Sequence, residues 1–90
     1  MREFFIEEKL HRIMNKLGKK DRNTYLILMK KIKEITACPD VNNYKNLRAP
    51  LQEFKRVHIN GPLILVFKYR ASDDSILFYD FDHHDSIYGR

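Results

Sequence analysis

The apolar positions change their spacing partway along the chain. Ile6, Leu10, Ile13, Met14 and Leu17 recur at i, i+4, i+7, i+8 and i+11. That is one face of a helix, and it predicts an amphipathic helix from Glu7 to Leu17 with Gly18 as its stop. Phe4 and Phe5 ahead of it suit a short strand. Asp21 is placed to cap a second helix, striped by Tyr25, Leu28, Met29, Ile32 and Ile35 and ended before Pro39. Joined through Gly18-Lys19-Lys20, the two predict a helical hairpin.

From Asp40 to Leu51 the chain turns polar, with Asn42, Asn43, Asn46 and Pro50. This reads as an irregular connection that delivers Lys45 and Arg48. Beyond it the alternation of strands sets in. Glu53 to Ile59, Leu63 to Tyr69 and Ser75 to Asp82 are separated by Asn60-Gly61-Pro62 and by Arg70 to Asp74, the layout of an antiparallel meander. A two-residue Asn60-Gly61 turn would put Pro62 where the closing N–H is needed, and proline has none. A three-residue loop therefore fits better, with Ile59 opposite Leu63, His58 opposite Ile64 and Val57 opposite Leu65.

That register sends Val57, Ile59, Leu63, Leu65 and Phe67 to the helix side. Like pairing of the third strand adds Leu77, Tyr79 and Phe81. The other face is expected to be open and mixed, with Arg56, His58, Ile64, Val66, Lys68, Ile76, Phe78, Asp80 and Asp82. The fold class expected is α+β, a helical hairpin packed on one face of a small antiparallel sheet.

Length bounds this picture: 90 residues suit one compact domain over 1–90 with a single modest core. The lone Cys38 allows no internal disulfide and no four-cysteine metal site, as in a reduced, cytoplasmic protein. The longest apolar run, Leu63 to Phe67, falls far short of the roughly 20 residues needed to span a bilayer. No membrane partner is expected. Charge is uneven: residues 1 to 56 hold 14 basic and 7 acidic side chains, and residues 57 to 90 hold 3 and 5. A basic N-terminal part is compatible with a polyanionic partner. The helix lysines, among them Lys30, Lys31 and Lys33, lie off the apolar stripe and are explained at least as well by a solvated face.

The most unusual stretch is Asp82-His83-His84-Asp85-Ser86-Ile87-Tyr88. An imidazole exchanges a proton near neutral pH, and a neighbouring carboxylate orients the ring. A metal site is the second reading, weakened because adjacent side chains on a strand point to opposite faces. A packed structural histidine is the third. Extended geometry would carry His84 to the same face as His58, and two imidazoles on one surface count against the structural reading.

Taken together, the helical hairpin, Asn46-Leu47-Arg48-Ala49-Pro50-Leu51, Phe54-Lys55-Arg56-Val57-His58-Ile59 and the terminal His83-His84-Asp85 with Ile87-Tyr88 resemble the RelE/ParE superfamily of toxins. The YafQ-like branch of mRNA interferases is the most similar. The resemblance implies a ribosome-dependent endoribonuclease that cuts mRNA, held inactive by a cognate antitoxin protein, with no small-molecule cofactor and no metal. It matches His58 and His84 to the proton-transfer histidines and Tyr88 to an aromatic that stacks on a base or orients the phosphate. Lys55 and Arg56 match the phosphate-binding cations, with Arg48 a further candidate. Asp82, His83 and Asp85 are candidates to support them. Ile64 stands where many members carry arginine, and Pro62 where YafQ-like members carry an acid. The alternatives are a ParE-like toxin that inhibits gyrase without nuclease activity, and an inactive relic or binding module. On the residues alone, Tyr88 reads equally as a core aromatic, and Arg48 as a loop cation.

Overall fold

The computed structural model describes residues 2–89. Strand β1 (Phe4–Ile6) leads into helices α1 (Glu8–Lys20) and α2 (Arg22–Ala37). A single 3-10 turn at Val41–Asn43 opens the connection to β2 (Lys55–Ile59), β3 (Leu63–Arg70), β4 (Ser75–His83) and the short helix α3 (His84–Tyr88).

Gly18 does not stop α1, which runs on to Lys20. One glycine in the last turn costs only about 1 kcal/mol, and the chain reverses instead at Asp21. The Asp21 backbone N–H donates to Leu17 O at 2.8 Å, and its carboxylate caps α2. Thr24 donates to that carboxylate through its hydroxyl at 2.6 Å and through its amide at 3.1 Å. Those two bonds hold the Asp21 carboxyl below its ordinary value. Leu28, Ile32 and Ile35 of the α2 stripe are buried, with Tyr25 and Met29 partly so.

The sheet order is β1-β4-β3-β2. It is mixed rather than purely antiparallel, because β1 pairs parallel with β4, Phe4 against Ile76 and Ile6 against Phe78. A parallel neighbour requires a crossover, and the helical hairpin supplies it. The Asn60-Gly61-Pro62 loop gives the predicted register, His58 opposite Ile64 and Ile59 opposite Leu63. Asn60 and Gly61 both take positive φ, 50° and 85°. The Asn60 amide donates to the Thr24 hydroxyl at 3.1 Å, which ties the turn to the start of α2.

Pairing of β3 with β4 departs from the expected pattern. Val66 faces Asp80 while the next residue, Phe67, faces Phe78, so Tyr79 is an extra residue. A bulge reverses the phase of everything on one side of it. Ile76, Phe78 and Phe81 consequently pack under the helices with Leu65 and Phe67, in place of the expected Leu77, Tyr79 and Phe81. Every position from Ile76 to Tyr79 is apolar, so alternation could not fix the phase.

The second face is not open. Leu47 from the connection, Ile64 and Val66 from β3 and Ile87 from α3 form a second buried cluster, flanked by Leu51, Phe54, Tyr79 and Tyr88. Phe54 stacks on Tyr79 with centroids 4.8 Å apart. Asp80, only 1% exposed, is met by Lys9 of α1 at 3.5 Å, and the same ammonium lies 4.4 Å over the Tyr79 ring. A concavity of about 300 Å³ lies between these residues, lined by Leu47, Phe54, Val66 and Ile87 among others. The connection thus has a packed interior of its own, and it holds Arg48 in place.

Candidate active site

The site begins with the alternation of β2. Arg56 and His58 point to the side of the second cluster, opposite Val66 and Ile64, whereas Lys55 points the other way. Across the sheet, His58, Ile64 and Asp82 stand in one row of three strands. Ile64 is wholly buried, so the row has an apolar floor.

Strand β4 ends one residue past Asp82, and its geometry changes at His83, where the backbone is still extended but the next residue is helical. The His84 backbone N–H donates to Pro62 O at 2.8 Å, which pins the start of α3 to the turn between β2 and β3. This brings the His84 ring to His58, with the ring centroids 6.4 Å apart and the planes 13° from parallel. Tyr88 follows four residues on, the spacing that puts two side chains on one helix face. Its ring lies 4.8 Å from that of His84 at 56°. Arg48 then reaches in from the connection, its guanidinium carbon 4.8 Å above the Tyr88 ring. Ile87, buried in the second cluster, holds α3 to the sheet.

Four residues from three separate segments therefore converge: His58, His84, Tyr88 and Arg48. The Asp85 carboxylate reaches both neighbouring imidazoles, with Oδ1 3.5 Å from His84 Nδ1 and Oδ2 3.8 Å from His83 Nδ1. A carboxylate at Nδ1 favours the tautomer with its proton there, which leaves Nε2 of His84 for exchange. His83 accepts the Asp85 backbone N–H at Nδ1, 3.2 Å, and Asp82 accepts the His83 backbone N–H at 2.7 Å.

The cations divide. Arg56 lies on the His58 side, and its Nε is buried with no hydrogen-bond acceptor in the structure. A buried N–H without a partner is a cost to the fold. Lys55 does not join the site. It is 7% exposed, and its ammonium donates to Tyr44 O at 3.1 Å and to Asn46 Oδ1 at 3.0 Å. Its place on β2 fixes this: an odd step from Arg56 and His58 turns it to the opposite face.

The supporting residues Leu47 and Ile87 were not singled out from the sequence. Leu47 sits in an irregular stretch without a helical or strand period, and Ile87 stands three residues after His84, a spacing that places it beside the same helix face. Among the described residues no group of three His, Cys, Asp or Glu side chains stands where it could hold a metal ion. Nor is any helix among them long and apolar enough to cross a membrane.

Two helices packed on one face of a small mixed sheet make the fold of a RelE-type toxin. No family model matches the chain. A protein of Methanocaldococcus jannaschii named "Putative toxin RelE4" is 46% identical over 88 residues, covering 98% of this chain and 92% of that protein. An uncharacterised protein of Methanosarcina mazei is 40% identical over 83 residues, covering 92% and 94%. Among solved structures, a metal-bound toxin of Helicobacter pylori aligns with a TM-score of 0.76 at 19% identity, over 97% of this chain and 99% of that one. YafQ of E. coli aligns with a TM-score of 0.65 at 20% identity, over 99% and 100%. The chain belongs to the RelE family of toxins from toxin–antitoxin systems, and its fold is shared with YafQ.

Proposed function

We propose that the protein is an endoribonuclease that cuts ribosome-bound mRNA by attack of the RNA's own 2′-hydroxyl. The observation that carries this reading is the pair of near-parallel imidazoles of His58 and His84, 6.4 Å between centroids. They are too far apart to bond each other and are spaced to flank one phosphoryl group. A proton-transfer group must come within about 2.6–3.2 Å of the atom it serves.

In the reaction, one imidazole takes the proton from the 2′-oxygen, which bonds to phosphorus. The P–O5′ bond breaks, and the second imidazole donates a proton to the departing 5′-oxygen. The products are a 2′,3′-cyclic phosphate and a 5′-hydroxyl. Charge accumulates on the non-bridging oxygens, and the guanidinium groups of Arg56, on the His58 face, and of Arg48 are the cations proposed to meet it. Tyr88 offers a ring face for the adjoining base. Proton transfer here passes through side chains alone, so cleavage is expected to survive a chelator.

The test is primer extension on mRNA threaded through ribosomes, with and without ribosomes, with chelator, and with His58→Ala and His84→Ala. Cuts that require both ribosomes and both histidines bear the reading out. Absence of cuts, together with inhibition of gyrase, would replace it with the ParE-like reading. That reading needs protein contact but no paired imidazoles.

A further inference from the structure

We propose that His83 is a positioning residue: its neutral imidazole is the N-terminal cap of α3, and that cap holds His84 and Tyr88 in the site while leaving the Asp85 carboxylate to His84. The inference deepens the nuclease reading and rests on it for the role of His84. Its foundation is a hydrogen bond, from the Asp85 backbone N–H to His83 Nδ1 at 3.2 Å. His83 has the extended backbone of a cap, φ −62° and ψ 145°.

A helix of five residues has no stability of its own, because nucleation costs more than so few bonds return. Three anchors keep α3 formed: burial of Ile87, the His84 N–H on Pro62 O, and the His83 cap. Of these, only the cap satisfies a donor in the first turn from a side chain, the task usually given to Ser, Thr, Asp or Asn. Histidine differs from those residues in one respect. Its Nδ1 accepts only while unprotonated, since both ring nitrogens of an imidazolium are donors.

Protonation therefore reverses the bond. The charged ring has to release the Asp85 N–H, and the group nearest its new donor is the Asp85 carboxylate, 3.8 Å away at Oδ2. That carboxylate is the one poised 3.5 Å from His84 Nδ1. One proton on His83 thus removes the cap and draws away the carboxylate that orients His84. The charged and titratable groups around His83 are Asp82, whose carboxylate is engaged by the His83 backbone N–H, Asp85 and His84; its cross-strand neighbour on β3, Leu63, is apolar.

The experiment compares the full-length protein with His83→Ala and His83→Asn. Asparagine is a good cap whose side chain carries no titrating proton. In NMR titrations of the protein alone, the His83 ring is expected as the tautomer protonated at Nε2. The Asp85 amide resonance is expected to shift with the midpoint of the His83 ring protons in the natural sequence, with no such step in His83→Asn. In single-turnover cleavage on ribosomes, His83→Ala is expected to lower kcat about five- to tenfold, the scale of a lost cap. His83→Asn is expected to restore it to within about twofold and to lack the matching ionisation in its acid limb. A tautomer protonated at Nδ1, an Asp85 amide indifferent to His83, or His83→Asn no better than His83→Ala would overturn the proposal. An NMR cap signature in a protein that cuts no RNA would instead sink the nuclease reading and leave the cap standing.

Discussion

Arg48 and Tyr88 meet face-on, the guanidinium carbon 4.8 Å from the ring centroid, although one lies on an irregular connection and the other on the terminal helix. The contact is made through the ring and not the hydroxyl. Tyr88→Phe is therefore expected to keep cleavage within about twofold, since a ring face supplies most of such a stack. Tyr88→Ala removes the shared platform of Arg48 and His84 and is expected to lower kcat/KM by at least tenfold. Steady-state kinetics on ribosome-bound mRNA separates the two; equal losses in both variants would assign the role to the hydroxyl.

The two histidines should fail separately and not additively. His58→Ala and His84→Ala are each expected to cost about 10²–10⁴-fold in the cleavage step, with RNA retained. The double variant is expected to fall little further, because the two act on one transition state. Single-turnover rates at saturating protein check this, and a doubled logarithmic loss would contradict a shared step.

Lys55 and Arg56, neighbours in sequence, should part in experiment. Lys55→Met leaves Tyr44 O and Asn46 Oδ1 without their donor and is expected to destabilise the fold by about 1–3 kcal/mol, read by urea unfolding. Arg56→Met removes a buried donor that has no acceptor, so the fold should be unharmed or steadier. Its expected loss is in RNA cleavage. Reversal of this pattern would return Lys55 to the site.

Stability near the far end of the sheet should depend on acid. The Asp74 carboxylate accepts the Tyr69 hydroxyl at 2.7 Å and Arg2 Nε at 2.9 Å, and these two bonds hold it below the ordinary carboxylate range. A carboxyl lowered in the folded state stabilises above its unfolded pKa of about 3.9 and loses that contribution as pH falls through the lowered value. Asp74→Asn is therefore expected to have a lower Tm than the natural sequence at neutral pH, with the gap closing below about pH 4. A gap unchanged from pH 7 to pH 3 would show that charge has no part in it.

Sequence and structure contribute differently here, and the division follows from how far apart the determining residues lie. The two helices, their stripes and the Asp21 cap were legible because each rests on residues within a turn or two of one another. The three-residue hairpin loop was legible for the same reason, since Pro62 by itself excludes the shorter turn. The meeting of His58 with His84 was expected from continued strand alternation, but His84 is the first residue of α3, and its N–H on Pro62 O, not alternation, brings its ring to His58.

Tertiary structure alone decided three matters. The bulge at Tyr79 depends on which of several consecutive apolar residues the helices accept, and no local pattern orders Ile76, Leu77, Phe78 and Tyr79. The partner of β1 is distant, so the parallel pairing with β4 that makes the sheet mixed could not be read from Phe4 and Phe5. The second cluster joins Leu47, Ile64, Val66 and Ile87 from three segments far apart in sequence, and the apolar run Leu63–Phe67 does not by itself say what covers its second face. That cluster covers the face expected to be open, and by fixing the connection and α3 it sets Arg48 and Tyr88 beside the histidines. Residue types were written in the chain; their distances were settled by packing between parts far apart along it.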